Sequence, residues 1–357
     1  MTNNKLNYNF AANNRTGYSI ASVNIGMQLS ELDCDLTLFP IGGMTQEKNI
    51  YEWVLHNHYR TKLCDYKAKA LRLWHQHDLY DFPICSERIG FPIFELNKFT
   101  AHELHSLNSV DRLIVCSKWG KQVCVDNRLS ETKISVCPLG VDTKIFSPRN
   151  KPPGDKYIFV NLGKAEVRKG HDILVEIFNK AFTKADNVEL WLLPHNPFLT
   201  KEQEKEWLKL IKDSPLGYKI KIFPPLSTHE DVSNFICRAD CAIFPHRAEG
   251  WGLENLESMA CNLPVITTNY SGTSEYSTKD NSFLVDITEK EIANDGIFFH
   301  GQGEWAKIGN KEIDQFVDYM KYCYDNRINK NPDGYKTAKK FSWRNSAEIL
   351  KEIIWEK

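Results

Sequence analysis

The sequence predicts an α/β chain made of two successive blocks of alternating strands and helices. Three observations carry this. Short apolar runs alternate with helical periodicities through the first half, the composition shifts over residues 138–154, and the alternation then restarts. Such alternation builds parallel sheets with helices on both faces. Two Rossmann-like domains facing a cleft are therefore expected. The 357 residues fit that division, because single cores stop growing at roughly 250–300 residues.

In the first block the strands are expected at 6–10, 36–39, 71–74, 89–94, 113–116 and 134–137, with helices clearest at 19–31 and 118–127. Pro138, Gly140, Pro148, Pro152, Pro153 and Gly154 then crowd into one span, which reads as the linker. The second block places strands at 157–162, 188–193, 220–223, 241–244, 265–268 and 283–285. Its helices fall at 171–182, 201–212, 230–238 and 253–261. After Ile313 the pattern is helical to the end, and Leu350 and Ile353 give the last helix an apolar side. The expected domains are 1–147, 148–335 and a closing segment, 336–357.

Composition narrows the function. Hydrophobic residues make up 42% and charged residues 25%, as in ordinary globular proteins. A net charge of -1 argues against a strongly electrostatic nucleic-acid or membrane binder. The opening MTNNKLNYNF lacks the basic start and apolar core of a signal peptide, and no apolar run reaches membrane-spanning length. The ten cysteines form no CxxC pair and no zinc-like cluster. They read as free thiols in a reducing, cytoplasmic setting. One local exception is basic: Arg60, Lys62, Lys67, Lys69 and Arg72 lie within thirteen positions, interleaved with Tyr59 and Tyr66. Such a stretch suits a polyanionic acceptor, including a nucleic acid; a solvated loop and helix face is the plainer reading.

The most informative stretch runs from Phe244 to Tyr276. A strand-like run ends at Pro245 and enters a loop carrying Glu249, Gly250, Trp251 and Gly252. A helical pattern follows, with Leu253, Leu256, Met259 and Ala260 at three- and four-residue spacing. Strand, glycine loop and helix in that order leave backbone N–H groups free to hold an anion such as a diphosphate. Glu249 and Glu257 flank the loop eight positions apart, so both can reach one crevice. A second constellation, Gly163 to Gly170, follows the expected strand at 157–162 and offers Lys164, Arg168 and Lys169 at a helix start. Positive charge there lowers the barrier for a departing anion.

The run Glu249-Gly-Trp-Gly-Leu-Glu-Asn-Leu-Glu257 resembles the Glu-x7-Glu signature of family 4 retaining glycosyltransferases, which have the GT-B fold. The resemblance implies transfer of a sugar from a UDP- or GDP-type nucleotide-sugar to a hydroxyl acceptor. Glu249 would contact the donor sugar and Glu257 the ribose, while Gly250, Trp251, Gly252 and Leu253 approach the diphosphate. Residues 163–170 resemble the family's G-R-x-x-x-x-K-G motif. Lys169 matches its Lys, and Lys164 stands where Arg is usual, exchanging a bidentate fork for a point charge; Arg168 competes with Lys164 for that task. Residues 138–148 resemble the family's entry into the second domain. Phe341-Ser-Trp343 resembles its signal before a last helix that returns to the first domain.

In the first block, Gly17 resembles the family's N-terminal glycine loop near donor phosphate and acceptor, although a single glycine stands where a pair is usual. Arg15 and Tyr18 flank it on the acceptor side. Trp74-His-Gln-His77 resembles the turn where the family presents a His near the reacting carbon, and His75 and His77 are equal candidates. Residues 88–95 resemble an R-I-G-Y-x-x-x-E run in some family members, which implies that Glu95 faces the cleft, and His246 and Arg247 lead into the Glu249 loop as candidates for lining the donor pocket. Glu254 reads as a solvated carboxylate favoured at a helix start, and residues 271–274 as a plain turn. The resemblance implies no metal and no cofactor beyond the nucleotide-sugar co-substrate. Catalysis is expected to draw on Glu249, Lys169 and one of the two histidines.

A glycan or lipid-linked glycan is the acceptor this resemblance implies first. Residues 13–22 also resemble glycosyltransferases of large phages, some of which modify DNA bases, so hydroxymethylated DNA is the alternative. A nucleotide-sugar epimerase and a non-catalytic nucleotide-sugar-binding protein are further alternatives. A glycogen or sucrose synthase-like enzyme fits less well, because the chain is short and lacks extra modules.

Overall fold

Two six-stranded sheets, parallel throughout, organise the chain in a computed structural model that describes residues 4–14, 16–45, 47–58, 60–61, 64–152 and 154–355. The first unit comprises Met1–Gly140 and Phe341–Lys357, and the second Val141–Lys340.

The first unit runs β1 (Lys5–Ala11), α1 (Gly17–Glu31), β2 (Asp35–Ile41), α2 (Lys48–His58), β3 (Lys69–Leu73), β4 (Arg88–Gly90), α3 (Ala101–Asn108), β5 (Arg112–Val115), α4 (Lys118–Asp126) and β6 (Ile134–Val136). The sheet order is β2-β1-β3-β4-β5-β6. Residues 6–11 of β1 are all buried, as a strand covered on both faces requires. The strand expected at 89–94 stops at Gly90, because Pro92 has no N–H to continue the ladder. Helices α2 and α3 were not legible. In α2 only Ile50, Val54 and Asn57 face inward among polar neighbours, too thin a stripe to stand out.

The second unit runs β7 (Tyr157–Leu162), α5 (His171–Ala181), β8 (Val188–Leu193), α6 (Lys201–Lys212), β9 (Ile220–Ile222), α7 (His229–Ile236), β10 (Cys241–Phe244), α8 (Leu253–Ala260), β11 (Val265–Asn269) and β12 (Phe283–Asp286). A hairpin of β13 (Lys290–Asn294) and β14 (His300–Ala306) follows, then α9 (Asn310–Asp325) and α10 (Pro332–Lys340). The order β12-β11-β10-β7-β8-β9 is doubly wound, and its core gathers Phe159, Phe178, Ile243 and Phe316, all with no exposure above 0%. The hairpin is a finding the sequence did not announce. Its turn rests on the Asp295 carboxylate, which accepts from the N–H groups of Ile297, Phe298 and Phe299 at 2.8–2.9 Å.

The last helix, α11 (Trp343–Trp355), belongs to the first unit, as the fold class expected. Lys351 Nζ donates to the Leu32 carbonyl at 2.9 Å, and Arg112 Nη2 donates to the Ile354 carbonyl at 3.1 Å. Gly140 passes so close that a Cβ there would lie 2.3 Å from the Trp343 nitrogen. All ten cysteines are free thiols. Among the described residues no helix is long and apolar enough to cross a membrane.

Each sheet has a point where the strand order reverses, β1/β3 in the first unit and β7/β10 in the second. Loops leaving the carboxyl ends of such a pair diverge and leave a crevice, the usual ligand position in open α/β sheets.

Candidate functional site

At the reversal in the second unit, the loop after β7 supplies residues 163–170 and the loop after β10 supplies 245–252. Backbone demands explain their glycines. Gly170 has φ +76°, and a Cβ there would fall 1.9 Å from the Pro245 carbonyl oxygen, so the loops can approach this closely only with glycine at that position. Gly252, at φ +80°, turns the chain into α8. Tyr276 fixes that turn by donating its hydroxyl to the carbonyls of Trp251 and Gly252, at 3.0 and 2.6 Å.

This geometry brings charges together. Lys169 Nζ lies 2.8 Å from Glu249 Oε1 and 2.7 Å from Glu254 Oε1. Arg168 Nη1 reaches the same Glu249 oxygen at 3.0 Å and also donates to the Ala248 carbonyl at 2.8 Å. Its Nη2 pairs with Glu166 at 3.0 Å, and Glu166 in turn holds Lys164 at 2.8 Å. Glu249 is further braced from behind. Its N–H donates to Ser271 Oγ at 2.9 Å, and its carbonyl accepts from the Gly272 N–H at 2.9 Å.

Burial and charge oppose each other at these groups. Burial alone would raise the Glu249 carboxyl, but Arg168 and Lys169 reverse that and hold it well below the usual range. Burial would likewise lower Lys169, yet Glu249 and Glu254 keep its ammonium above its ordinary value. Glu257 differs. Burial, reinforced by Glu254 and only partly offset by Lys169, pushes its carboxyl up to about 8. Among the described residues its carboxyl takes no hydrogen bond from the protein. It stands near neutral pH as a carboxylic acid with a free donor.

The side chains of several expected site residues are engaged within the protein. The Trp251 indole is buried against Tyr276, ring centroids 5.0 Å apart, so only its backbone is left to serve a ligand. Gly250 lies under Gly272, and Leu253 opens α8 half-buried. His246 is buried among Thr267, Thr268 and Asn255, and burial lowers it to about 4. Arg247 is spent on a bidentate pair with Asp172 at 2.9 and 2.8 Å. Glu254 corrects the sequence reading outright. Instead of standing in solvent, its carboxylate is tied to Lys169. The bracing by Ser271 was also missed, since a residue's contact across a loop leaves no local pattern.

In the first unit the reversal carries rings rather than charges. Tyr18 lies 4.2 Å from His75 and 6.0 Å from Trp74, and the His75 and His77 rings stack at 5.1 Å. The Tyr18 hydroxyl donates to the Ile93 carbonyl. His77 is exposed and His75 half-buried. Gly17 opens α1, and a Cβ there would meet nothing within 4 Å, so packing does not demand glycine. Glu95 is half-buried just beyond Ile93, and Arg15 lies outside the described residues.

The basic stretch dissolves on folding. Arg72 is 2% exposed and pairs with Asp78 at 2.8 Å, Lys69 pairs with Glu87 at 3.2 Å, and Arg60 pairs with Asp35. Lys67 and Tyr66 are exposed, while Tyr59 and Lys62 lie outside the described residues. Charges spent on intramolecular carboxylates do not form a phosphate-binding face.

The β7/β10 crevice falls within a stretch with known counterparts. Residues 142–299 match the family of glycosyl transferases group 1. That stretch of the second unit is similar to a group 1 glycosyltransferase domain. The phosphatidylinositol N-acetylglucosaminyltransferase GPI3 subunit of Saccharomyces cerevisiae (strain RM11-1a) is 28% identical over 240 residues, covering 60% of this chain and 52% of that protein. The D-inositol 3-phosphate glycosyltransferase of Arthrobacter sp. (strain FB24) is 23% identical over 230 residues, covering 61% of this chain and 49% of that one. The chain thus spans about half the length of these relatives. Among solved structures, a glycosyltransferase from Rickettsia africae ESF-5 superposes with TM-score 0.71 at 16% identity over 100% of both chains. Anabaena Alr3699/HepE in complex with UDP-glucose gives 0.70 at 13% identity over 98% of both. These two show that the matched stretch sits in a chain of GT-B fold.

Proposed function

We propose that the protein is a retaining glycosyltransferase that moves a sugar from a UDP- or GDP-type nucleotide-sugar to a hydroxyl of a glycan or lipid-linked acceptor. One observation carries the reading: Lys169, Arg168 and Glu249 converge at the strand-order reversal of the second sheet, beside the helix that starts at Gly252. Cations and helix N–H groups at such a crevice stabilise a departing diphosphate. In this reading Lys169, with Lys164 or Arg168, meets the diphosphate, Glu249 orients the donor sugar, and Glu257 holds the ribose. The positive field of these side chains takes the place a divalent ion fills elsewhere. Residues 148–335 form the donor side and residues 1–147 the acceptor side, with His75 or His77 meeting the reacting carbon.

The name of the yeast relative, a phosphatidylinositol N-acetylglucosaminyltransferase subunit, supports a lipid-linked acceptor, and that of the Arthrobacter relative a hydroxyl of an inositol phosphate. Among the described residues of the basic stretch, Arg60, Lys69 and Arg72 are spent on internal ion pairs, which weakens the DNA alternative. The test is turnover of a panel of UDP- and GDP-sugars by purified protein, with and without glycan and inositol-lipid acceptors. Glu257→Ala should raise the donor KM by more than an order of magnitude; unchanged kinetics would remove its role. Product that forms without any acceptor would point to an epimerase instead.

A further inference from the structure

The crevice beside Lys169 is nearly full. Its remaining volume is about 10 Å³, lined by Asn161, Lys169, Glu249 and Glu254 among others, room for no more than about one water. What fills it is an anion already in place. Glu254 Oε1 sits 2.7 Å from Lys169 Nζ, and a Cβ built on Gly163 would come within 3.0 Å of that same oxygen. Gly163 has φ +123°, so no side chain of its own competes for the space. The glycine turn after β7, the Lys169 ammonium and the first turn of α8 therefore enclose one position, and a carboxylate occupies it.

The two acids on Lys169 are not held alike. Glu249 is bonded to Lys169 and Arg168 and braced at its backbone by Ser271 and Gly272, with its side chain 9% exposed. The Glu254 side chain is 22% exposed, and Lys169 is the partner its carboxylate has among the described residues. A ligand larger than water has to move one of them. Glu254 is the one a single bond retains.

We infer that Glu254 is a residue of the donor site that occupies the seat of a donor phosphate and is displaced from Lys169 when the nucleotide binds. The inference rests on the nucleotide-sugar reading and adds a control to it. Lys169 exchanges one anion for another, so the diphosphate gains less than it would from an unpaired ammonium. Donor and departing nucleoside diphosphate are weakened alike, and the internal carboxylate helps the product leave. Binding that is equal in ground and transition states brings no rate advantage once substrate is abundant, so a counter-anion that trims it favours turnover.

The experiment is isothermal titration of the full chain with UDP, GDP, uridine and guanosine, for the wild type, Glu254→Gln and Glu254→Ala. The expected result is at least tenfold tighter binding of the preferred diphosphate by both variants, with nucleoside binding unchanged. Either variant serves if the other fails to fold, since Lys169 keeps Glu249 as partner in both. Diphosphate affinity that is equal or weaker in the variants overturns the role of Glu254 and leaves the donor reading standing. A wild type and variants that bind neither diphosphate overturn both.

Discussion

The two strand-order reversals occupy equivalent places in two similar sheets, yet they are furnished in opposite ways. At β7/β10 the side chains are charged, buried and committed to one another, with Glu249 serving two cations and Lys169 two acids. At β1/β3 they are aromatic, half-exposed and held mainly by ring contacts. A parallel α/β sheet fixes where a crevice opens but not what chemistry fills it. Preorganised charge at the first kind of crevice acts at full strength because water is excluded. Rings at the second offer shape and a titratable imidazole instead.

The sharpest way to break this contrast is to remove charge from one side and a ring from the other. Lys169→Met should lower kcat/KM for nucleotide-sugar on the order of 10³-fold, the scale of losing an electrostatic contact to a developing anion. It should also cost stability, because Glu249 and Glu254 lose a buried partner. Initial rates and a melting curve measure both. His75→Ala should lower kcat on the order of 10²-fold and shift the melting temperature less than Lys169→Met does. His77→Ala, at an exposed position, should change rates less. Equal losses at the two histidines would leave the stacked pair, rather than one ring, as the functional unit.

Backbone tolerance should divide the same way. Gly170→Ala places a Cβ 1.9 Å from the Pro245 oxygen at a positive φ, which should cost about 3 kcal/mol or more. Gly17→Ala meets open space and should leave stability within about 0.5 kcal/mol. Urea unfolding of the two variants checks this. A Gly17→Ala protein that is stable yet impaired in turnover would assign that space to substrate rather than to packing.

How much of this was legible varies with how local the signal is. The strands of the second sheet stand out because Tyr157 to Val160 and Cys241 to Phe244 are unbroken apolar runs between glycine and proline breaks. The cation and carboxylate loops were legible for the same reason, since each follows such a run directly. Helix α2, with its thin apolar stripe, was not, nor was the hairpin, whose strand residues such as Lys290, Glu291 and Gln302 are largely polar. Glu254 was misread because its environment is set by Lys169, eighty-five positions away. A helix-start glutamate looks the same in sequence whether it faces water or a buried ammonium.

A further expected effect lies in the pH dependence of the second unit. Among the described residues of the first unit, Asp65 and Asp111 are lowered, and Tyr8 and buried thiols such as Cys124 are raised. These act outside pH 5 to 8. In the second unit Glu257 rises from 4.5 to about 8. Between those values the unfolded chain has lost the proton that the folded chain keeps, so stability falls as pH rises through this window. His171 and His246, lowered by burial from 6.5 to about 4, work the other way, and stability falls as pH drops from about 6.5 toward 4. Glu257→Gln removes the first effect and leaves the second. Cys237, lowered to about 7 chiefly by its hydrogen bond with Cys261, is common to both proteins, so subtracting the variant's pH profile from that of the wild type cancels its contribution. The difference should slope downward from about pH 5 to 8 in urea titrations. A flat difference would mean that Glu257 is already ionised when the nucleotide arrives, and that its ribose contact needs no proton exchange.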